Sequence, residues 1–404
     1  MNGARTRGQG AALRAVAAMV RGHAPHAVLL IGPDGVGKTT LALDLAAGLL
    51  CTADPDDRPC RDCRACRLVE HRSHPDLHRL GPVGPGRQVV IGGPDAKYRG
   101  VRDLITDLAL MPVEGGARVA IIEGADRMNE DAQSALLKTL EEPPFGVTIV
   151  LCADQEARLL PTVRSRCFRI RLGLVGTRDI ESIVADHGLA DPPTAARLGR
   201  LAGGRPGIAL AYARAPDAVL IRAELTRVLL DMTDAGPASR LTAARAAIPR
   251  AIALSRALAS GDPAAAPVRL GRRRGAASGA PSVASPASDG SDEDPQADVD
   301  DAGDPAAAKT RTPAAERRRG VEILLGLWSD VARDLVLIGA GGARSVHDTV
   351  LLDELVGIAA EVDPADAVAF LGRSSRSTEW LATNVSPELI LDALVLGWPR
   401  RAAA

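Results

Sequence analysis

Gly32-Pro33-Asp34-Gly35-Val36-Gly37-Lys38-Thr39 fills every position of the eight-residue glycine-rich loop that wraps phosphate groups. The run before it, Ala27-Val28-Leu29-Leu30-Ile31, has the length and composition of a buried parallel strand. After it, Leu41, Leu43, Leu45, Ala46, Leu49 and Leu50 recur at helical spacing. Strand, glycine-rich turn and helix together point backbone N–H groups and a helix N-terminus at phosphate. Gly32, Gly35, Gly37, Lys38, Thr39 and Thr40 are the candidate nucleotide contacts, with Lys38 reaching the β/γ-phosphates and the Thr39 hydroxyl ligating Mg²⁺. ATP or ADP with Mg²⁺ is the expected ligand. Hydrolysis does not follow from this loop alone.

Four cysteines come next, Cys51, Cys60, Cys63 and Cys66, with eight, two and two residues between them. Four thiolates suit a tetrahedral Zn²⁺ with every position filled, a structural rather than a catalytic site. Arg61, Arg64 and Arg67 lie between or beside the ligands and favour the thiolate forms. The competing reading is a pair of disulfides. No secretory signal is read at the start, and Cys152 and Cys167 sit in apolar surroundings typical of reduced thiols, so zinc is expected. His71 and His74 follow closely and are expected to be ordinary loop residues.

At 404 residues the chain calls for two or three domains. A net charge of −1 gives no global nucleic-acid signature, and aromatic residues at 2% argue against a stacking platform for single-stranded bases. No apolar run approaches the length of a membrane span, so a soluble, cytoplasmic protein is expected. From about 261 to 320 the sequence is Ala, Pro, Ser, Gly and Asp, with a basic knot at Arg269–Arg274, an acidic stretch, and basic residues again at Arg317–Arg319. Such composition buries too little apolar surface to offset the entropy of ordering, and a disordered spacer is expected. Helical periodicity marks 178–260 in several pieces, then Val321–Leu337 and about 347–361, 364–372 and 375–397.

A second apolar strand, Arg118-Val119-Ala120-Ile121-Ile122-Glu123, ends in a carboxylate where P-loop enzymes hold Mg²⁺ through water. A helix from Glu130 to Glu141 and a third strand, Val147–Leu151, follow. Ser134-Ala135-Leu136-Leu137-Lys138-Thr139-Leu140-Glu141-Glu142-Pro143-Pro144, with Ser165-Arg166-Cys167, is similar to the bacterial clamp-loader branch of the AAA+ ATPases. That branch also places a cysteine cluster just after its P-loop. The resemblance covers roughly residues 7–215, and more weakly Asn384-Val385-Ser386-Pro387-Glu388-Leu389. It implies an α/β AAA+ P-loop domain with a parallel sheet and inserted zinc module (51–66) over 1–172. A small helical lid over 173–214 and a helical collar over 215–404, interrupted by the spacer, would follow.

The resemblance also implies a DNA polymerase III clamp-loader subunit that helps load a sliding clamp onto primed DNA. Its partners would be gamma/tau and delta subunits in a hetero-pentamer. The branch's motors follow the strand-end carboxylate with a glutamate that polarises water, whereas here Gly124 follows Glu123. Motors also carry a lid arginine where this sequence has Gly207, in Gly204-Arg205-Pro206-Gly207. The expectation is a subunit that binds ATP, hydrolyses it poorly, and offers Arg166 in trans to a neighbour's site. The alternatives are a gamma/tau-type motor using Asp126, a zinc-containing P-loop kinase, and a nucleotide-binding adaptor outside replication.

Overall fold

The computed structural model describes residues 3–22, 24–84, 87–94, 96–114, 116–261, 313–381 and 385–401. The apolar runs fold into a parallel sheet. Its strands are β1 (Ala27–Ile31), β2 (Leu77–Leu80), β3 (Arg118–Ile122), β4 (Val147–Ala153) and β5 (Phe168–Arg171), in the order β2-β3-β4-β1-β5. All four strand pairings are parallel; Val28, for example, lies opposite Val150 of β4 and Phe168 of β5. Every residue of β1, β3 and β4 is buried, as a sheet covered on both faces requires.

Alternate residues of β1 serve the two faces. Val28 and Leu30 join a core with Val16 of α1 (Gly10–Arg21) and Leu41 and Leu45 of α2 (Lys38–Leu50). Ala27, Leu29 and Ile31 join a second core. Its helical partners include Leu104 of α4 (Val101–Leu108), Leu136 of α5 (Glu130–Glu141) and Val163 of α6 (Pro161–Arg164). The short α3 (Arg64–Glu70) follows the cysteine loop and packs on α2. This is the expected α/β P-loop domain.

Three helices follow, α7 (Thr177–Asp186), α8 (Pro192–Leu201) and α9 (Pro206–Arg214), around a small core that includes Ile180, Val184, Ala195 and Ala209. The remaining helices are α10 (Pro216–Asp231), α11 (Pro237–Gly261), α12 (Ala314–Gly339), α13 (Leu352–Ala359), α14 (Pro364–Leu381) and α15 (Pro387–Leu396). Trp328, Phe370 and Trp398 anchor their core, the last two edge to face at 4.8 Å between ring centroids. Leu198, Leu201 and Tyr212 of the preceding three-helix unit belong to this same core.

The spacer expectation needs correction at its C-terminal end. Residues 262–312 lie outside the described residues, but Ala314–Gly320 are the first turns of α12 rather than spacer. The arginines that made this stretch look unstructured have partners far away in sequence. Arg317 pairs with Glu388, Arg318 donates to the Leu381 carbonyl and Arg319 donates to the Ser255 hydroxyl. Gly320 is the close-approach point of α11 and α12, since a Cβ there would stand 2.9 Å from Ile252 Cγ1. Toward the C-terminus, α14 extends well beyond the expected 372, and Pro387 opens a separate helix.

Candidate nucleotide and metal sites

The glycine-rich loop lies at the C-terminal end of β1, between the ends of its two neighbours. Gly32 N–H donates to Ala153 O at the end of β4, and Leu172 N–H, just past β5, donates to Ile31 O. Gly35 and Gly37 hold φ of +81° and +102°, which only glycine adopts without strain. They wrap the backbone tightly before Lys38 opens α2. The Lys38 ammonium donates to the carbonyls of Gly32 and Pro33, each at 2.8 Å, and pairs with Asp154 Oδ1 at 2.6 Å. Thr39 and Thr40 follow it, half-buried, in the first turn of α2.

Asp154 was not singled out by sequence reasoning. It directly follows the apolar run of β4, a polar residue at the C-terminal edge of the strand beside β1, and that position was the available signal. Burial pushes its carboxyl above the ordinary range, while the Lys38 charge and hydrogen bond pull it back. Arg127 Nη2 lies 3.8 Å from the other carboxylate oxygen.

Three residues define the end of β3. Glu123 is paired with Arg79 of β2, whose Nε lies 3.1 Å from Oε1. Gly124 takes a left-handed φ of +61°, and a Cβ there would stand 3.0 Å from Pro82 Cγ and 3.3 Å from Arg127 Cδ. The buried Asp126 accepts the backbone N–H groups of Asp154 and Gln155, at 3.2 and 3.3 Å, one on each carboxylate oxygen. Its carboxylate ties two loops together and is not turned out as a base.

The three-helix unit closes over the loop. Gly207 N–H donates to Gly35 O at 2.8 Å, and a Cβ at 207 would lie 3.1 Å from Gly35 Cα. Arg205 faces the other way, donating to Ala202 O and lying 3.9 Å from Asp330 of α12. Arg166 sits in the link between α6 and β5 with its side chain one-third exposed. Its guanidinium donates to Thr162 O and to the Glu141 carboxylate.

The sulfur atoms of Cys51, Cys60, Cys63 and Cys66 all lie within 4.8 Å of one another. Two of the pairs stand at 3.5 and 3.8 Å, Cys51–Cys60 and Cys51–Cys63. A tetrahedron of Zn–S bonds of about 2.3 Å has edges of about 3.8 Å, so the donor set fits that ion. All six cysteines are free thiols, which removes the disulfide reading. The N–H groups of Cys60, Cys63 and Cys66 donate to the sulfurs of Cys51, Cys60 and Cys63 at 3.3 to 3.5 Å. Burial opposes a Cys63 thiolate, yet donors from Thr52 and Cys66 outweigh it and bring this thiol down to about 6. Burial pushes the Cys51 and Cys66 thiols up. A cluster split in this way ionises fully only around a cation. His74 lies buried in the loop between α3 and β2, with Nδ1 accepting the Asp76 N–H, and His71 caps α3.

Residues 9–175 match the family model described as DNA polymerase III, delta subunit. DNA polymerase III subunit delta′ of Pseudomonas aeruginosa is 37% identical over 183 residues, 45% of this chain and 53% of that protein. The delta′ subunit of Haemophilus influenzae is 40% identical over 142 residues, 35% and 41% of the two chains. Subunit tau of Salmonella typhimurium is 32% identical over 181 residues, 44% of this chain and 27% of that one. The matched region thus spans about half or less of the length of these relatives. Among the described residues no helix is long and apolar enough to cross a membrane. Over residues 9–175, the chain is thus similar in sequence to the DNA polymerase III delta-subunit family.

Proposed function

We propose that this protein is a delta′-type clamp-loader subunit whose own phosphate-binding loop holds nucleotide without turning it over quickly. In this reading it joins gamma/tau-type and delta subunits in a hetero-pentamer that places a sliding clamp on primed DNA. The observation that carries the proposal is the end of β3. Glu123 is engaged by Arg79, Gly124 occupies a position shaped for glycine, and Asp126 is held by two backbone N–H groups. Among these residues no carboxylate is placed to orient or deprotonate an attacking water. The lid supplies no arginine to a γ-phosphate either, because Gly207 abuts the loop and Arg205 turns toward α12.

What remains suits binding. The loop's backbone N–H groups and Lys38 would receive the phosphates, with Lys38 exchanging two carbonyls for phosphate oxygens. Thr39 would ligate Mg²⁺. Cys51, Cys60, Cys63 and Cys66 would hold a structural Zn²⁺, which neutralises the thiolates and cross-links the loop to the end of α2. Arg166, held by Thr162 O, the neighbouring Ser165 hydroxyl and the half-exposed Glu141, would exchange these exposed partners at a subunit boundary. There it would act as an arginine finger, worth about 10³–10⁵ in rate at the site it completes.

The test uses the isolated chain and the reconstituted assembly. The chain alone should bind ADP and ATP with Mg²⁺ and hydrolyse almost none; rapid turnover would overturn the reading. Arg166→Ala should lower the DNA-stimulated ATPase of the assembly while leaving nucleotide binding by the chain itself unchanged.

A further inference from the structure

Asp44 lies six residues after Lys38, on the same helix, and is almost completely buried. None of its hydrogen-bond donors comes from that helix. Arg5 N–H reaches its two oxygens at 3.0 and 3.1 Å, and Thr6 contributes its N–H at 2.9 Å and its hydroxyl at 2.7 Å. Among the described residues its one cationic partner is the guanidinium of Arg61, the residue after Cys60 and two before Cys63. A buried carboxylate with a single cationic partner depends strongly on that partner's position.

Arg61 is itself held in an unusual way. Its φ is +63°, a left-handed conformation that a non-glycine residue keeps only where its surroundings impose it. Those surroundings are the two flanking thiol ligands, Asp44, and the Gly3 carbonyl, to which Arg61 Nε donates at 2.6 Å. The N-terminal segment is thus pinned to the cysteine loop at Gly3 and to α2 at Arg5 and Thr6.

The other end of this segment reaches the nucleotide loop. The Gln9 amide exchanges two hydrogen bonds with Gly173, donating to its carbonyl at 2.7 Å and accepting its N–H at 3.3 Å. Gly8 is pressed against Val175, where a Cβ would meet Cγ1 at 2.4 Å. Residues 172–176 link β5 to α7, and the Leu172 carbonyl lies 2.5 Å from where a Cβ of Gly32 would stand. A continuous set of contacts therefore runs from Cys60 through Arg61, Asp44, Thr6 and Gln9 to Gly173 and the first residue of the phosphate-binding loop.

We propose that Asp44 is a positioning residue that couples the metal module to the nucleotide site. With metal bound, Arg61 holds Asp44 and Gly3, the segment 3–9 is strapped down, and the hinge at Gly173 is fixed beside Gly32. Without metal the strap loosens and the hinge with it. Only the final step, an effect on nucleotide affinity, rests on reading Gly32–Thr40 as a nucleotide loop.

Amide hydrogen exchange on the full-length chain tests this directly, because the Arg5, Thr6 and Gly173 amides report the strap and hinge with or without nucleotide. Stripping zinc with a chelator should speed exchange at all three. Arg61→Ala, with the four cysteines intact and one zinc still bound by elemental analysis, should do the same, and Arg61→Lys should restore part of the protection. Arg64→Ala, whose exposed side chain pairs with Glu114, should leave all three amides unchanged. In a chain that binds ADP, Arg61→Ala should also weaken that binding severalfold. Unchanged exchange in metal-loaded Arg61→Ala, or faster exchange at Arg5 and Thr6 with none at Gly173, overturns the coupling. Absence of ADP binding by the wild type would instead sink the nucleotide-holder reading and leave the exchange result standing.

Discussion

The backbone N–H of Gly207 donates to the carbonyl of Gly35 at 2.8 Å, laying the first turn of α9 directly on the glycine-rich loop. With a Cβ at 207 only 3.1 Å from Gly35 Cα, a side chain there must displace the loop backbone. Gly207→Arg should therefore not create a motor. Overpacking at such a contact costs about 1–3 kcal/mol. Thermal denaturation should show that loss, ADP titration should show weaker binding, and ATP turnover should stay at the wild-type level.

The end of β3 gives a paired expectation. Gly124→Glu puts the motors' residue type in place but meets Pro82 and a left-handed φ. It should lower stability by about 1–3 kcal/mol without raising turnover. Asp126→Ala leaves the N–H groups of Asp154 and Gln155 without their acceptor, again about 1–3 kcal/mol. If Asp126 served instead as a catalytic base, that variant would abolish turnover with little change in denaturant midpoint.

Metal content should be one Zn²⁺ per chain, lost on Cys66→Ala, with the melting temperature falling by roughly 5 °C or more. Affinity should weaken as pH falls, because ligation requires the thiolates and protons compete for them. Burial holds Cys51 and Cys66 up while Cys63 lies near 6, so metal release into a chromogenic chelator should steepen below that pH.

Asp334 and His347 make opposite contributions to stability with pH. Burial raises the Asp334 carboxyl to about 6 and lowers the His347 imidazole to about 4. The raised acid binds its proton more readily in the folded state, so its contribution favours folding at low pH and is lost as pH rises through about 6. The depressed histidine favours folding above its unfolded value and loses that contribution as pH falls toward about 4. Between those limits the two offset each other. Asp334→Asn should unmask a fall in stability from pH 7 to 4, and His347→Gln a rise, each on the order of 2 kcal/mol in chemical denaturation.

The central strands were legible because they are buried on both faces and read as unbroken apolar runs. The outer strands of the sheet were not: Leu77-His78-Arg79-Leu80 and Phe168-Arg169-Ile170-Arg171 are short and mixed. Their polar side chains are partly exposed or find partners across the fold, as Arg169 and Arg171 do on Glu156. The start of α12 was hidden in the same way, since its arginines are matched by groups as distant in sequence as Glu388.

The candidate sites divide along the same line. Sequence alone determined the glycine-rich loop motif, the four thiols and the glycine at 124, because each depends on residue type at fixed short spacing. Tertiary structure decided what those residues face. It set Asp154 on Lys38, Arg79 on Glu123, two loop N–H groups on Asp126, α9 on Gly35, and Arg61 on Asp44. Such pairs are made by strands and segments that only folding brings together, and charge and hydrogen-bond complementarity across them leaves no periodic trace in the chain.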